Sequence, residues 1–113
     1  MDVVDVDSSL KEISEKYFLQ KKISEKVNFI NEPARYFLNN AKKYDAVVID
    51  VYVGTSLPPQ TLTLEFYESL IRISENIFIN LITDKSLESD FSKNVFATMN
   101  TAFGQVYYKD INF

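Results

Sequence analysis

Short apolar runs alternate along the chain with stripes of apolar residues at helical spacing. The runs have the length of strands, and the two richest in valine and isoleucine are typical of strands buried on both faces of a sheet. The runs predict five strands, at about 3–6, 27–30, 46–51, 77–82 and 106–111. The stripes predict four helices, one after each of the first four runs, at about 9–20, 33–41, 62–71 and 87–99.

This β-α-β-α-β-α-β-α-β order predicts a three-layer α/β fold, a doubly wound and mostly parallel sheet with helices on both faces. The length of 113 residues suits one domain, which we expect to span residues 1–113. No internal repeat, linker or low-complexity segment interrupts the pattern.

Polar residues mark where the helices begin and end. Ser9 and Glu12 have the spacing of a capping box at the start of the first helix. Asn31 or Glu32 is expected to cap the second helix, with Pro33 in its first turn. Gly104 is expected to end the fourth helix, after a turn and cap formed by Thr83, Asp84 and Ser86.

Composition removes several classes of function. The chain has no Cys and no His, which excludes the usual zinc sites, thiol nucleophiles and His-dependent triads, and we expect no metal. Its two glycines are too few for a phosphate-binding P-loop or a dinucleotide fingerprint. The net charge of −4 gives no general attraction to nucleic acid, and no apolar run has the length of a membrane span. We therefore expect a cytoplasmic protein without nucleic-acid or membrane partners.

Asp50 is the first candidate for a functional side chain. It follows the apolar run 46–49 and precedes a loop with Gly54, Pro58 and Pro59, which cannot continue the strand. Ligands of open α/β sheets bind beyond the carboxyl ends of the strands, so Asp50 is expected to face a ligand. The alternative is a carboxylate that caps the loop by accepting hydrogen bonds from amides near Val53 and Gly54.

Asp5 and Asp7 end the first strand in the same way and form a second candidate site. One valine separates them, so a continued strand would send both side chains to the same face. Asp7 has an alternative role as a cap ahead of the first helix. Tyr52 is the most interesting tyrosine, because it follows Asp50 into the expected crevice.

The segment Tyr44-Asp-Ala-Val-Val-Ile-Asp50, followed by Leu57-Pro58 and by Leu62-Thr-Leu-Glu-Phe-Tyr-Glu68, resembles the spermidine synthase (polyamine aminopropyltransferase) family. In that family a Tyr-Asp-Val-Ile-Ile-x-Asp strand leads through a proline loop into a helix beginning Leu-Thr-x-Glu-Phe-Tyr. The acidic strand end Val4–Asp7 and the segment Ala34–Leu38 resemble two further family motifs. The pieces lie in the family's order and cover nearly the whole chain.

The resemblance implies a methyltransferase-like Rossmann domain that transfers an aminopropyl group from decarboxylated S-adenosylmethionine to a polyamine. It implies that Asp50 is the catalytic residue, which binds and deprotonates the attacking amine, with Tyr52 and Gln60 at the polyamine. Asp5 would grip the ribose hydroxyls. The implied nucleotide-binding residues are Asp5, Asp7, Glu32 and Ala34. Decarboxylated S-adenosylmethionine, or S-adenosylmethionine, would be a co-substrate and not a tightly bound cofactor.

The chain departs from the family pattern in its acidic residues and at its start. Val53 stands where the family has a second active-site Asp, and Pro33 where it has an adenine-contacting Asp. The family's first strand and glycine-rich loop would precede Val3, and we expect its amino-terminal β-domain to be missing as well. We therefore expect a partial domain, inactive or incomplete as an isolated chain. Its strands are expected to close up in the order 2-1-3-4-5; if this gap in the sheet does not close, exposed strand edges would favour a homodimer.

A response-regulator receiver domain is the alternative, since it has the same strand order. Asp5 or Asp7 would then hold Mg²⁺ through oxygen ligands, and Asp50 would accept the phosphate. Thr83 and Lys109 would contact the phosphoryl group. Receivers, however, carry adjacent acidic residues, whereas one valine separates the two acids here.

Overall fold

The computed structural model describes residues 1–111 as a mixed α/β chain with short parallel strands. The strands are β1 (Asp2–Asp5), β2 (Asn28–Asn31), β3 (Val47–Ile49) and β4 (Ile77–Ile79). The α-helices are α1 (Leu10–Ile13), α2 (Ala34–Asn39), α3 (Leu64–Ile73) and α4 (Asp90–Phe103). The chain divides into two compact units, Met1–Ala41 and Lys42–Phe113. No helix within residues 1–111 is both long and apolar enough to cross a membrane.

In the first unit β1 and β2 pair in parallel, with Val3 opposite Phe29 and Val4 opposite Ile30. The predicted first helix is much less regular than its apolar stripe indicates. Only α1 is α-helical, and a π-helical turn (Ser14–Phe18) follows it. The carboxylate of Glu15 in this turn accepts a hydrogen bond from Ile23 N at 2.9 Å, which holds the following connector beside the helix.

The predicted capping box at Ser9 is wrong. Ser9 makes no side-chain cap to α1, and both its amide and its hydroxyl donate to Asp7 Oδ1, at 2.9 and 2.6 Å. The first helix is therefore entered through a turn that Asp7 closes, as its alternative role predicted.

The start of the second helix also differs from the prediction. Asn31 does not cap it, because Asn31 Nδ2 donates to the carbonyls of Asp5 and Val6, at 3.1 and 2.9 Å. Pro33 precedes the helix in an extended conformation, and its carbonyl accepts hydrogen bonds from Tyr36 N and Phe37 N. Asn31 thus fastens the end of β2 to the end of β1.

In the second unit β3 and β4 pair in parallel, and α3 packs against α4. Thr63 and Ser89 cap these helices by accepting hydrogen bonds from Phe66 N and Ser92 N. Gly104 ends α4 as predicted, at a positive φ of 74° that suits glycine. The apolar core of this unit consists of Ile49, Phe66, Tyr67, Leu70, Ile73, Val95 and Met99.

Two expectations about the strands fail within residues 1–111. Residues 105–111 contain no strand, and both Tyr107 and Tyr108 are exposed. The Tyr108 ring instead packs edge-on against Phe96 of α4, with the ring centroids 5.7 Å apart. The strands β3 and β4 were expected to be buried on both faces, but one face is exposed to solvent. On that face Val48 is 72% and Phe78 61% exposed.

Tyr67 on α3 is a phenol inside the apolar core. Its ring packs against Phe66 and Phe103, and its hydroxyl is buried without a hydrogen-bond partner among the described residues. Burial raises the pKa of Tyr67 to about 12, because the phenolate would lose its hydration.

Replacing Tyr67 by Phe is expected to leave the protein equally or more stable at pH 7, because the change removes a buried hydroxyl that has no partner. The native state holds the phenol proton more tightly than the unfolded chain. The contribution of Tyr67 to the free energy of unfolding is therefore full below pH 10. It falls by about 2 kcal/mol as the pH rises toward 12. Urea unfolding at several pH values should show that Tyr67→Phe lacks this alkaline loss. The exposed Tyr107→Phe should keep it, and an identical alkaline loss in all three proteins would contradict the prediction.

Candidate functional site

Asp50 lies at the carboxyl end of β3, where the sequence pattern placed it. The last backbone hydrogen bond between β3 and β4 runs from Asn80 N to Ile49 O, at 2.9 Å. One step further along, Asn80 Nδ2 donates to Asp50 Oδ1, also at 2.9 Å. The carboxylate is exposed, and its second oxygen has no hydrogen-bond partner within residues 1–111.

The alternative role of Asp50 as a loop cap is not observed at Val53. The amide of Val53 donates to Ser56 O at 2.8 Å, and Ser56 N donates back to Val53 O at 3.1 Å. This tight turn contains Gly54 at a positive φ of 62°, a conformation that glycine adopts without strain. The turn is closed by its own backbone, and the Asp50 carboxylate bonds to Asn80.

Tyr52 is joined to the same place through its hydroxyl. Tyr52 Oη donates to Asn80 O at 3.1 Å and accepts a hydrogen bond from Ile82 N at 2.7 Å. The structure therefore brings Asp50 and Tyr52 together through Asn80, at the carboxyl ends of β3 and β4. Gln60 lies exposed in a 3₁₀ turn (Pro59–Thr61), and no hydrogen bond among the described residues joins it to Asp50 or Tyr52.

Asn80 was missed by the sequence analysis, although the signal was present. It follows the apolar run of β4 as Asp50 follows that of β3, so the same strand-end argument applies to it. A polar amide is simply less conspicuous than a carboxylate. Its contact with Asp50 joins positions thirty residues apart in the chain, and only the strand register shows it.

The acidic pair of the first unit lies at the carboxyl ends of β1 and β2. Asp5 Oδ1 accepts a hydrogen bond from Asp7 N at 2.8 Å, so the two acids sit on one turn. Hydrogen bonds from Ser9, from its hydroxyl first and then its amide, lower the pKa of Asp7 and keep it ionised. Asp5, Asp7 and Asn31 line a small cavity of about 30 Å³, which is large enough for a water molecule.

Glu32 and Ala34 come shortly after the end of β2 in the sequence. Glu32 is half-buried in the bend after β2, and Ala34 is the first residue of α2. The four residues that the resemblance assigned to the nucleotide therefore lie at or just after the carboxyl ends of the paired strands β1 and β2. That is the edge where α/β sheets bind ligands.

Asp84 forms the most extensive carboxylate network, at the entrance to α4. It accepts hydrogen bonds from the amides of Glu88 and Ser89 and from the hydroxyls of Ser86, Ser89 and Ser92. These bonds, led by those from the Ser89 and Ser92 hydroxyls, hold the pKa of Asp84 far below its usual value. All of its partners belong to its own turn and helix, so Asp84 has a structural role in the turn that was predicted here, whereas the cap of α4 is Ser89.

The receiver hypothesis gains no support from this geometry. Within residues 1–111 no three acidic side chains gather in a way that would hold a metal ion. Lys109 follows no strand in the described part of the chain, and it is exposed after α4. The phosphoryl contact expected of Lys109 therefore has no strand to position it.

The comparisons with known proteins indicate one family. The model of the spermine/spermidine synthase domain matches residues 1–111. A polyamine aminopropyltransferase of Vibrio vulnificus (strain CMCP6) is 27% identical over 114 residues, which cover 95% of this chain and 36% of that protein. The chain thus spans about a third of the length of this relative, and no solved structure matches it at a significant level. Since the family model covers nearly the whole chain, the chain belongs to the spermine/spermidine synthase family.

Proposed function

We propose that this chain carries the amine-binding part of an aminopropyl-transfer site, with Asp50 as the group that receives the polyamine. The observation that carries the proposal is the Asp50 carboxylate itself. It is exposed at the carboxyl end of β3 and held at Oδ1 by Asn80, so that Oδ2 can accept a hydrogen bond from an ammonium group. Membership of the spermine/spermidine synthase family supports this assignment.

The chemistry requires such a group. A protonated amine has no lone pair, so it must lose a proton before its nitrogen can attack the aminopropyl carbon of the donor. The new N–C bond then forms as the C–S bond of the sulfonium donor, decarboxylated S-adenosylmethionine, breaks and leaves a thioether. A carboxylate attracts the ammonium and provides an acceptor for the proton.

The nucleotide is proposed to bind at the other acidic edge. Asp5 would hold the ribose hydroxyls, with Asp7, Glu32 and Ala34 around it, and S-adenosylmethionine is the alternative co-substrate. Asp7 would act there mainly by shaping the turn, because its Oδ1 is already occupied by Ser9. The finer fold prediction, a three-layer doubly wound sheet, stays a proposal that the parallel pairs β1–β2 and β3–β4 support.

We propose low activity for the isolated chain. The position of the family's second acidic residue is occupied by Val53, which lies exposed in the turn after β3. Asp50 would therefore face the amine without a second carboxylate, and removal of one member of a catalytic set commonly costs orders of magnitude in rate. We also propose that Gln60 contacts the polyamine, that the protein is cytoplasmic, and that it forms a homodimer.

Replacing Asp50 by Asn is expected to weaken the binding of a polyamine about tenfold or more, because the ammonium loses its charged acceptor. The measurement is an NMR titration of the protein with putrescine, followed through the amides near Asp50. The neutral 1,4-butanediol should produce no comparable shifts. Asp45→Asn, which removes the same charge just before β3, should leave the affinity nearly unchanged. Equal affinities of the wild type and Asp50→Asn would contradict the proposal.

A further inference from the structure

The chain segments that leave β3 and β4 stay joined after the backbone ladder has ended. The ladder stops at the bond from Asn80 N to Ile49 O, so Asn80 O and Ile82 N have no strand partner beyond it. Backbone groups that leave a ladder bond to side chains or to water instead. The Tyr52 hydroxyl serves both at once, since it donates to Asn80 O at 3.1 Å and accepts from Ile82 N at 2.7 Å.

Asn80 is thereby fixed on three sides. Its amide is bonded to Ile49, its carbonyl to Tyr52, and its side chain to Asp50 Oδ1 at 2.9 Å. In register, Asp50 and Asn80 follow the last ladder pair, Ile49 and Ile79, by one step. Neighbouring parallel strands point their side chains at such positions to the same face, which brings the amide beside the carboxylate.

The amide suits this position for an electrostatic reason. An exposed carboxylate on its own samples several rotamers, and a ligand that needs one of them has to restrict the others at a cost in entropy. The Asn80 amide holds one oxygen by a hydrogen bond without neutralising the negative charge. A lysine in its place would compete with an incoming ammonium, and an aspartate would repel the Asp50 carboxylate.

We propose that Asn80 and Tyr52 are positioning residues for Asp50. Asn80 would select the carboxylate rotamer that presents Oδ2, and Tyr52 would hold the backbone of Asn80 in place. The inference rests on the proposed function, because its purpose is amine binding by Asp50. The arrangement itself, however, can be measured without any amine.

The test uses the whole chain and two independent readouts. Three-bond couplings from the Asp50 Cγ to its backbone nitrogen and carbonyl report its χ1 rotamer. They should show one rotamer in the wild type and averaging in Asn80→Ala. The putrescine affinity of Asn80→Ala should fall by about three- to tenfold, because the ligand must then order the carboxylate itself.

Further variants separate positioning from general damage. Asn80→Gln keeps an amide and should restore part of both readouts. Asn94→Ala, on the exposed face of α4, should change neither. Tyr52→Phe keeps the ring but removes the hydroxyl, so it should speed hydrogen exchange at the Ile82 amide and partly release the Asp50 rotamer.

The outcomes are distinguishable. An unchanged Asp50 rotamer in Asn80→Ala would overturn the positioning role whatever the amine does. A released rotamer with unchanged putrescine affinity would overturn the link to binding. If the wild type shows one rotamer but no response to putrescine, the proposed function fails, and with it the purpose assigned to Asn80.

Discussion

Replacing Leu70 by Ala is expected to destabilise the second unit by about 2–5 kcal/mol, the usual range for a fully buried leucine. Leu70 lies on α3 and is 0% exposed, among core residues of α3 and α4. Its truncation leaves a cavity that the surrounding helices can only partly fill. Since a whole domain is stable by only about 5–15 kcal/mol, this change alone would remove a large share.

The neighbouring residue provides a matched control. Ile71 follows Leu70 in α3 but is 42% exposed, so Ile71→Ala should cost about 1 kcal/mol or less. Urea unfolding of both variants, followed by circular dichroism, gives the comparison. Equal losses for Leu70→Ala and Ile71→Ala would show that α3 does not bury the face described here.

Replacing Asp84 by Asn is expected to be the most damaging change of a carboxylate, because Asp84 is half-buried at the entrance to α4. The carboxylate accepts hydrogen bonds from two amides and three hydroxyls, and a neutral amide group can replace few of them. Ser92, whose hydroxyl is one of the donors, is fully buried and would be left with a weaker partner. The melting temperature should therefore fall by several degrees, and more than in Ser89→Ala, which removes the N-cap of α4.

The pH dependence gives this prediction a second readout. Because the pKa of Asp84 is lower in the native state than its ordinary 3.8, the native state favours the ionised form. Its stabilising contribution is full above that value and is lost as the pH falls below it. Asp84→Asn should lack this acid loss. Asp110→Asn, which removes an exposed carboxylate after α4, should melt and respond to acid like the wild type, and an Asp84→Asn protein that did the same would refute the assigned role.

Local pattern was sufficient to predict the features that depend on neighbouring residues. The existence of the strands β1 to β4, the turn at Asp84 and the stop at Gly104 follow from apolar periodicity and turn chemistry, whereas the cap of α4 is Ser89 and was not predicted. The position of Asp50 at a strand end was predicted for the same reason. For each of these features a few consecutive residues contain the signal, whereas which strands pair depends on distant segments.

The failures arise where a second acceptor or packing partner competes with the predicted one. Ser9 could serve as a helix cap, but Asp7 offers it a charged acceptor and captures both of its donors. Asn31 has the chemistry of a cap, yet its amide binds the carbonyls that end β1. The tyrosines near the carboxyl end favour a strand by composition, but a strand also needs a partner, and Tyr108 packs on Phe96 instead.

The solvent-exposed face of β3 and β4 has a consequence for how strongly Asp50 can bind a cation. Strand alternation places Asp50 two positions after the exposed Val48, and Asn80 two positions after the exposed Phe78. The carboxylate therefore sits at the end of an apolar strip that water still covers. Any surface that covered the strip would lower the local dielectric constant around Asp50, and the same ammonium–carboxylate contact would then be stronger.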